Sequence, residues 1–178
     1  MTGPTHLAIA AVATIVLNQE TGMSPPGLMG WVVMLGGSLL PDIDEPKSTV
    51  SNPAGIFTKV MPRWVRDMIN IPFRAASKSI RDVFGHRGAT HYLLWPAIMF
   101  WLSWYNGSPL LWWFAWGYLW HELADWITKV GIPAAGPFYS KNITLFPKSF
   151  RVKTGGPVEN LINTACWLYL LYSAYIYF

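Results

Sequence analysis

The sequence predicts an all-α fold: an integral membrane helical bundle of about five apolar helices, built as one domain over residues 1–178. Three observations lead to this prediction. Hydrophobic residues make up 52% of the chain and charged residues only 12%, whereas soluble domains carry about 25% charged residues. The mean hydropathy is +0.28. The apolar residues are gathered into five separate runs. A very hydrophobic soluble domain is the competing interpretation.

The apolar runs carry their own boundary signals. Pro4 and Thr5 precede the first run and suit a helix start, and Pro41 stops the second. Pro96 interrupts the third run, and Pro109 begins the fourth. A helix that spans a bilayer needs about 20 apolar residues. The first two runs are shorter, so we expect them to tilt, to thin the bilayer or to be covered by neighbours. The predicted apolar helices cover residues 6–17, 27–40, 90–105, 109–127 and 159–178.

Two long connections carry the positive charge. Residues 47–88 alternate basic residues with large apolar ones at roughly helical spacing. This pattern predicts amphipathic interfacial helices on an anionic membrane face, with solvated helices packed on the bundle as the alternative. Residues 129–157 are rich in Gly, Pro and short β-type stretches, which predicts a small irregular or β-hairpin loop that acts as a lid. All 13 lysines and arginines lie between Lys47 and Lys153. The positive-inside rule therefore places the N-terminus and both connections in the cytoplasm.

In this topology, the ionisable residues near the apolar runs all lie at the same depth, the cytoplasmic edge of the membrane. They include all four histidines and three of the five aspartates. Such residues at a membrane edge are functional candidates because an unpaired charge there is costly. The set is His6, Asp42, Asp44, His86, Arg87, His91, His121 and Asp125.

Two short motifs in this set have the spacing of metal ligands. His121 and Asp125 are four residues apart and share a helix face, whereas Glu122 is rotated by about 100° and points elsewhere. Asp42 and Asp44 of the PDID motif point the same way if the segment is extended. A snorkelling His–Asp pair and a polar helix stop are the structural alternatives.

The motif GHRGATH at 85–91 adds two histidines and an arginine at the mouth of the third run. His91 is a further candidate ligand, and Arg87 can bind an anionic group through two hydrogen bonds. Mixed His and Asp ligands without Cys suit one or two divalent ions, with Zn²⁺ ahead of Mn²⁺ and Fe²⁺. A bound metal would activate water for hydrolysis, with His86 or His6 as general base or additional ligand.

These motifs, in this order along the chain, resemble the YdjM/YbcI-type family. That family is described as membrane-bound metal-dependent hydrolases of the bacterial inner membrane, some of them LexA-binding. The resemblance rests on TH at 5–6, PDID within 37–48, GHRGATH at 85–91, HELAD within 117–133 and RVKTGGPVE at 151–159. It implies hydrolase activity and adds Glu159 to the catalytic candidates. Glu45 departs from the family pattern, which often has His there, and Glu122 occupies a position that is often apolar.

The sequence therefore predicts a multi-pass inner-membrane hydrolase. Its metal-activated water would attack an ester or phosphoester of an amphiphilic, lipid-like substrate at the cytoplasmic leaflet. The alternative is a non-enzymatic membrane protein whose polar cluster is structural and supports binding of a partner. An ion transporter is disfavoured because the cluster lies at one edge of the membrane. No nucleic-acid partner is expected, and the sequence does not decide the oligomeric state.

Overall fold

The computed structural model describes residues 1–57, 60–85 and 87–177. These residues form six α-helices and no β-strand, which confirms the predicted all-α class. Four short 3₁₀ helices lie in the connections, at Leu40–Asp44, Pro53–Phe57, Ala89–His91 and Lys148–Phe150. The helices are α1 (Gly3–Thr21), α2 (Leu28–Gly37), α3 (Arg63–Phe84), α4 (Leu94–Asn106), α5 (Pro109–Trp126) and α6 (Pro157–Tyr177).

Each predicted apolar run corresponds to one helix, namely α1, α2, α4, α5 and α6. Their ends follow local chemistry. Ser108 caps α5 by accepting a hydrogen bond from the backbone N–H of Leu111, and Pro109 occupies the first turn, where a missing N–H has no cost. Gly107 ends α4 in the left-handed conformation. The second run ends as a helix at Gly37 rather than at residue 40, because the chain tightens into the 3₁₀ helix Leu40–Asp44.

Helices α2 and α5 run parallel and approach closely through glycine. Ser38 at the end of α2 contacts His121 in the last turns of α5. Near the start of both helices, Gly30 faces Trp113. A Cβ atom on Gly117 would overlap the carbonyl oxygen of Met34. Small residues thus let two backbones touch, and this contact sets the position of the C-terminal half of α5.

Helix α3 replaces the two amphipathic helices expected in residues 47–88. It is one continuous helix with Pro72 in its interior, and it packs on the 3₁₀ helices at 40–44 and 53–57. Asn70 accepts a hydrogen bond from the Ala54 amide at 3.0 Å. Arg81 forms an ion pair of 3.0 Å with Glu45. Glu45, the departure from the family pattern, therefore joins the PDID segment to α3.

The connection between α5 and α6 has the predicted irregular form. Ile132 and Ile143 form an isolated antiparallel bridge with N···O distances of 3.1 and 2.7 Å. Thr128 and Val152 form an isolated parallel bridge. The β-hairpin alternative is wrong, since neither bridge extends into a ladder among the residues that the structure describes.

Within the described ranges, no helix is at once long enough and apolar enough to cross a membrane.

Candidate metal centre

Four of the five predicted metal ligands converge on one point. Asp42 comes from the 3₁₀ helix at 40–44, His91 from the one at 89–91, and His121 and Asp125 from the last two turns of α5. One donor atom of each lies within 4.8 Å of the others. Asp42 Oδ1 is 3.7 Å from His121 Nε2 and 3.9 Å from His91 Nε2. Ligand atoms around a tetrahedral zinc are about 3.4 Å apart, given bonds of about 2.1 Å. The pairs at 3.7 and 3.9 Å would close by a few tenths of an ångström, and a pair at the 4.8 Å limit by about 1.4 Å.

The two clustered histidines are oriented by partners on their other nitrogen. His121 Nδ1 lies 2.8 Å from the Ser38 carbonyl oxygen. Because a carbonyl only accepts, Nδ1 carries the proton and the Nε2 lone pair points into the cluster. His91 Nδ1 lies 3.0 Å from the Thr90 hydroxyl, so its Nε2 also faces the cluster. The hydroxyl of Tyr118 donates to the Thr90 carbonyl, which holds that segment against α5.

His6, predicted as a base or additional ligand, lies beside the cluster. Its ring stacks on His121 with a centroid distance of 3.7 Å and an interplanar angle of 12°. His6 Nε2 is 3.5 Å from Asp125 Oδ1. The side chain is fully buried, and neither ring nitrogen has a hydrogen-bond partner among the described residues. A buried imidazole without a partner is costly, so a ligand or a water at this position would stabilise the fold.

Asp44 does not join the four ligands. The prediction placed Asp42 and Asp44 on one side of an extended segment, whereas the segment is a 3₁₀ helix with three residues per turn. Residues two apart then point in different directions. Asp44 is buried and accepts a hydrogen bond from the Arg87 amide at 2.6 Å. It anchors the loop after α3, and its predicted role as a ligand stays a prediction.

Arg87 is built into the protein around the cluster. Its guanidinium contacts Asp125 Oδ2 at 2.6 Å and donates to Thr128 at 2.9 Å and to the Gly131 carbonyl at 3.1 Å. Its backbone is in the left-handed region, with φ of 54°. Burial lowers the pKa of this guanidinium, while nearby carboxylates led by Asp42 act in the opposite direction. These contacts make Arg87 the residue that orients Asp125; anion binding by Arg87 stays a prediction.

The two remaining catalytic candidates are Glu159, which the structure describes, and His86, which it does not. Glu159 lies in the first turn of α6 and accepts hydrogen bonds from the amides of Thr2, at 2.6 Å, and Gly155, at 2.8 Å. It ties the N-terminal segment to the TGGP loop, and no contact in the structure tests a catalytic role. His86 lies outside the described residues.

The structure adds groups that the sequence did not reveal. Ser38 contributes through its backbone carbonyl, which no residue type signals. The Met1 amino group contacts Asp125, and burial lowers the pKa of that amine from 8.0 to about 5. Glu122 is fully buried, and neither of its carboxyl oxygens has a hydrogen-bond partner in the part of the chain that the structure describes. Asp42 and Arg87 lie close enough to Glu122 to interact with it electrostatically.

The balance of charge in this region suits a cation. Arg87 is the guanidinium that faces the carboxyl groups, and the amine of Met1 adds little positive charge at neutral pH because its pKa is about 5. A buried ion without compensation costs several kcal/mol. A divalent cation would therefore fit both the donor atoms and the charge. The carboxyl groups concerned are Asp42, Asp44 and Asp125.

Fold and site together define an all-helical protein with a His/Asp cluster that could hold a metal ion. The family model described as the YdjM inner membrane protein matches residues 1–178, and the chain belongs to this family. It is 32% identical over 149 residues to the inner membrane protein YdjM of Escherichia coli (strain K12) and, at the same identity, to that of Shigella flexneri. Each alignment covers 77% of this chain and 66% of the relative, just under two thirds of its length. No solved structure matches the chain. The family supports an inner-membrane location.

Proposed function

We propose that the protein is a multi-pass inner-membrane hydrolase whose divalent metal is held by Asp42, His91, His121 and Asp125. One observation carries the metal site: four donor atoms from three separate elements lie within 4.8 Å of one another. The Ser38 carbonyl supports it by directing His121 Nε2 into the same space. Zn²⁺ is the first choice for this donor set, followed by Mn²⁺ and Fe²⁺.

The distribution of side chains supports embedding in a membrane. The fully buried side chains are mostly polar and include His6, His91, His121, Glu122 and Asp125. Many large exposed side chains are apolar or aromatic, such as Leu28 on α2, Trp104 on α4 and Leu171 on α6. Soluble monomers rarely expose contiguous apolar patches of this kind. A polar interior with an apolar outside suits a protein surrounded by lipid.

The proposed chemistry is hydrolysis of an ester or phosphoester in a lipid-like substrate at the cytoplasmic leaflet. A bound divalent ion would lower the pKa of its water towards about 7. Asp42 and Asp125 supply oxygen ligands, and Arg87 holds Asp125 in place. His6, stacked on His121 and 3.5 Å from Asp125, is positioned to accept a proton. The basic connections favour an anionic head group.

Metal analysis of the purified protein tests the site. We expect near-stoichiometric transition metal in the wild type, loss of the metal in His121→Gln and its retention in Asp67→Asn. Asp67 is a matched carboxylate control, since it is half exposed on α3. A wild type without metal, or a His121→Gln variant that keeps it, would contradict the proposed ligands.

A structural metal is the second candidate, because His91, His121 and Asp125 are fully buried. The two roles differ in what ligand loss does. If the metal is catalytic, His121→Gln keeps its helical circular dichroism and loses turnover of a synthetic phosphoester lipid. If the metal is structural, the same variant unfolds or loses much of its thermal stability, and the wild type shows no turnover.

The proposed topology puts the N-terminus, both long connections and the site in the cytoplasm. It is tested with single cysteines at Lys47 and Ser108 in a Cys166→Ser background, labelled in intact cells with a membrane-impermeant maleimide. We expect label at Ser108, in the short loop between α4 and α5, and none at Lys47. The reverse pattern would invert the topology.

A further inference from the structure

Helix α3 presents its apolar face away from the rest of the protein. Trp64, Met68, Ile71 and Val83 are 60 to 73% exposed. The first three recur at spacings of four and three residues, which places them on one stripe of the helix. Val83 lies on the same outer half, near the C-terminal end. In a protein surrounded by water this face would normally turn inward.

The inward face of α3 is polar. Asn70 and Ser77, seven residues apart, are 3% and 0% exposed. Asn70 receives the amide of Ala54, and Arg81 pairs with Glu45. These contacts hold α3 against the segment that carries Asp42. The orientation of the helix is therefore fixed by polar contacts, with the apolar stripe outward.

The charge on α3 identifies what covers that stripe. The helix carries five basic residues and two acidic ones, Asp67 and Asp82, a net charge of +3. Arg74 follows the buried Asn70 by one turn and is exposed on the polar flank of the stripe, and Arg63 is exposed at the N-terminal end. An apolar stripe bordered by cations and carrying a tryptophan matches the interface of an anionic bilayer. A second copy of the chain would bring two helices of like charge together.

We propose that α3 lies in the plane of an anionic membrane surface. Its outward stripe is inserted among the lipids, and its polar face is turned toward the segment that carries Asp42. The inference requires the membrane location proposed above and is independent of the metal and of hydrolysis. Because α3 packs on residues 40–44, this placement would hold Asp42 and its partners at head-group depth. A lipid-like substrate would then reach the cluster without leaving the membrane.

Spin-label accessibility tests the placement. In the full chain with Cys166→Ser, single cysteines replace Met68, Val83 and Arg74, and a nitroxide is attached to each. The labelled proteins are reconstituted into vesicles of phosphatidylglycerol and phosphatidylethanolamine. Collision rates are then measured with oxygen, which concentrates in lipid, and with a nickel chelate, which stays in water.

We expect a ratio of oxygen to nickel collisions severalfold higher at 68 and 83 than at 74, the control on the polar flank. Equal ratios at all three positions would place the stripe in water. Protection of 68 and 83 from both reagents would mean that protein, a second copy or a partner, covers them. Either result overturns the inference. Helical circular dichroism and a monodisperse elution profile confirm that each variant is folded, and Leu28→Cys on α2 serves as a second lipid-facing reference. Metal content is measured separately, so failure of the metal site is distinguishable from failure of the membrane placement of α3.

Discussion

The close contact between α2 and α5 makes Gly117→Ala a sharp test of the fold. The added methyl group would overlap the Met34 carbonyl oxygen, and the Ser38 amide lies close by as well. Both are backbone atoms and cannot rotate away, so α5 must move. Overpacking of this kind costs about 1 to 3 kcal/mol, and the better helix propensity of alanine offsets at most about 1 kcal/mol. Because the overlap is with backbone, we take the upper half of that range, about 2 to 3 kcal/mol, and the expected net loss is about 1 to 2 kcal/mol.

Thermal unfolding of the purified protein in detergent measures this loss. For a chain of this size we expect Tm to fall by about 2 to 8 °C. Gly36→Ala is the matched control, because a Cβ atom on Gly36 meets nothing within 4 Å; it should leave Tm unchanged or raise it. Since His121 follows Gly117 by one turn, metal content should fall as well. A Gly117→Ala protein as stable as the Gly36→Ala control would refute the contact.

Three further predictions concern the cluster and the N-terminal segment. Removal of metal by a chelator should lower the Tm of the wild type and leave that of His121→Gln unchanged; equal shifts would argue against a site at His121. Arg87→Met removes the guanidinium from the buried Asp125 and should cost about 3 to 5 kcal/mol in denaturant unfolding. Stability equal to wild type would show that the guanidinium does not orient Asp125. Glu159→Ala leaves the Thr2 amide unsatisfied, should cost about 1 to 3 kcal/mol and should speed proteolysis of the N-terminal residues. Unchanged proteolysis would refute this anchoring role.

The apolar helices could be predicted from sequence because their signals are local. Runs of apolar residues predicted all five helices, and Pro4 and Pro109 marked two of the helix starts. The register between α2 and α5 was not predictable, since Gly37 and Gly117 are far apart in sequence. A glycine in a helix indicates only that another segment can approach closely at that position. Which segment approaches is decided by tertiary packing.

The candidate metal site likewise combines features that the sequence predicted with features that only the tertiary structure shows. The spacing of His121 and Asp125 was sufficient to place both on one helix face, and the PDID and GHRGATH motifs supplied Asp42 and His91. Asp44 lies outside the group of four ligands because its segment forms a 3₁₀ helix rather than an extended strand. Glu122 was predicted to point away from the ligand pair. It stays outside the four-residue group, yet it is fully buried and lies close enough to Asp42 to interact with it electrostatically.

The sequence by itself determined the helical class, the position of the apolar segments and the identity of four candidate ligands, because residue type and short spacing carry those properties. Only the tertiary structure decided how the ligands are held. The Ser38 carbonyl, the Arg87 guanidinium and the ring of His6 meet the cluster through contacts between distant segments. It also decided the orientation of α3, since amphipathicity shows that a helix has two faces and only its polar contacts show which face turns inward.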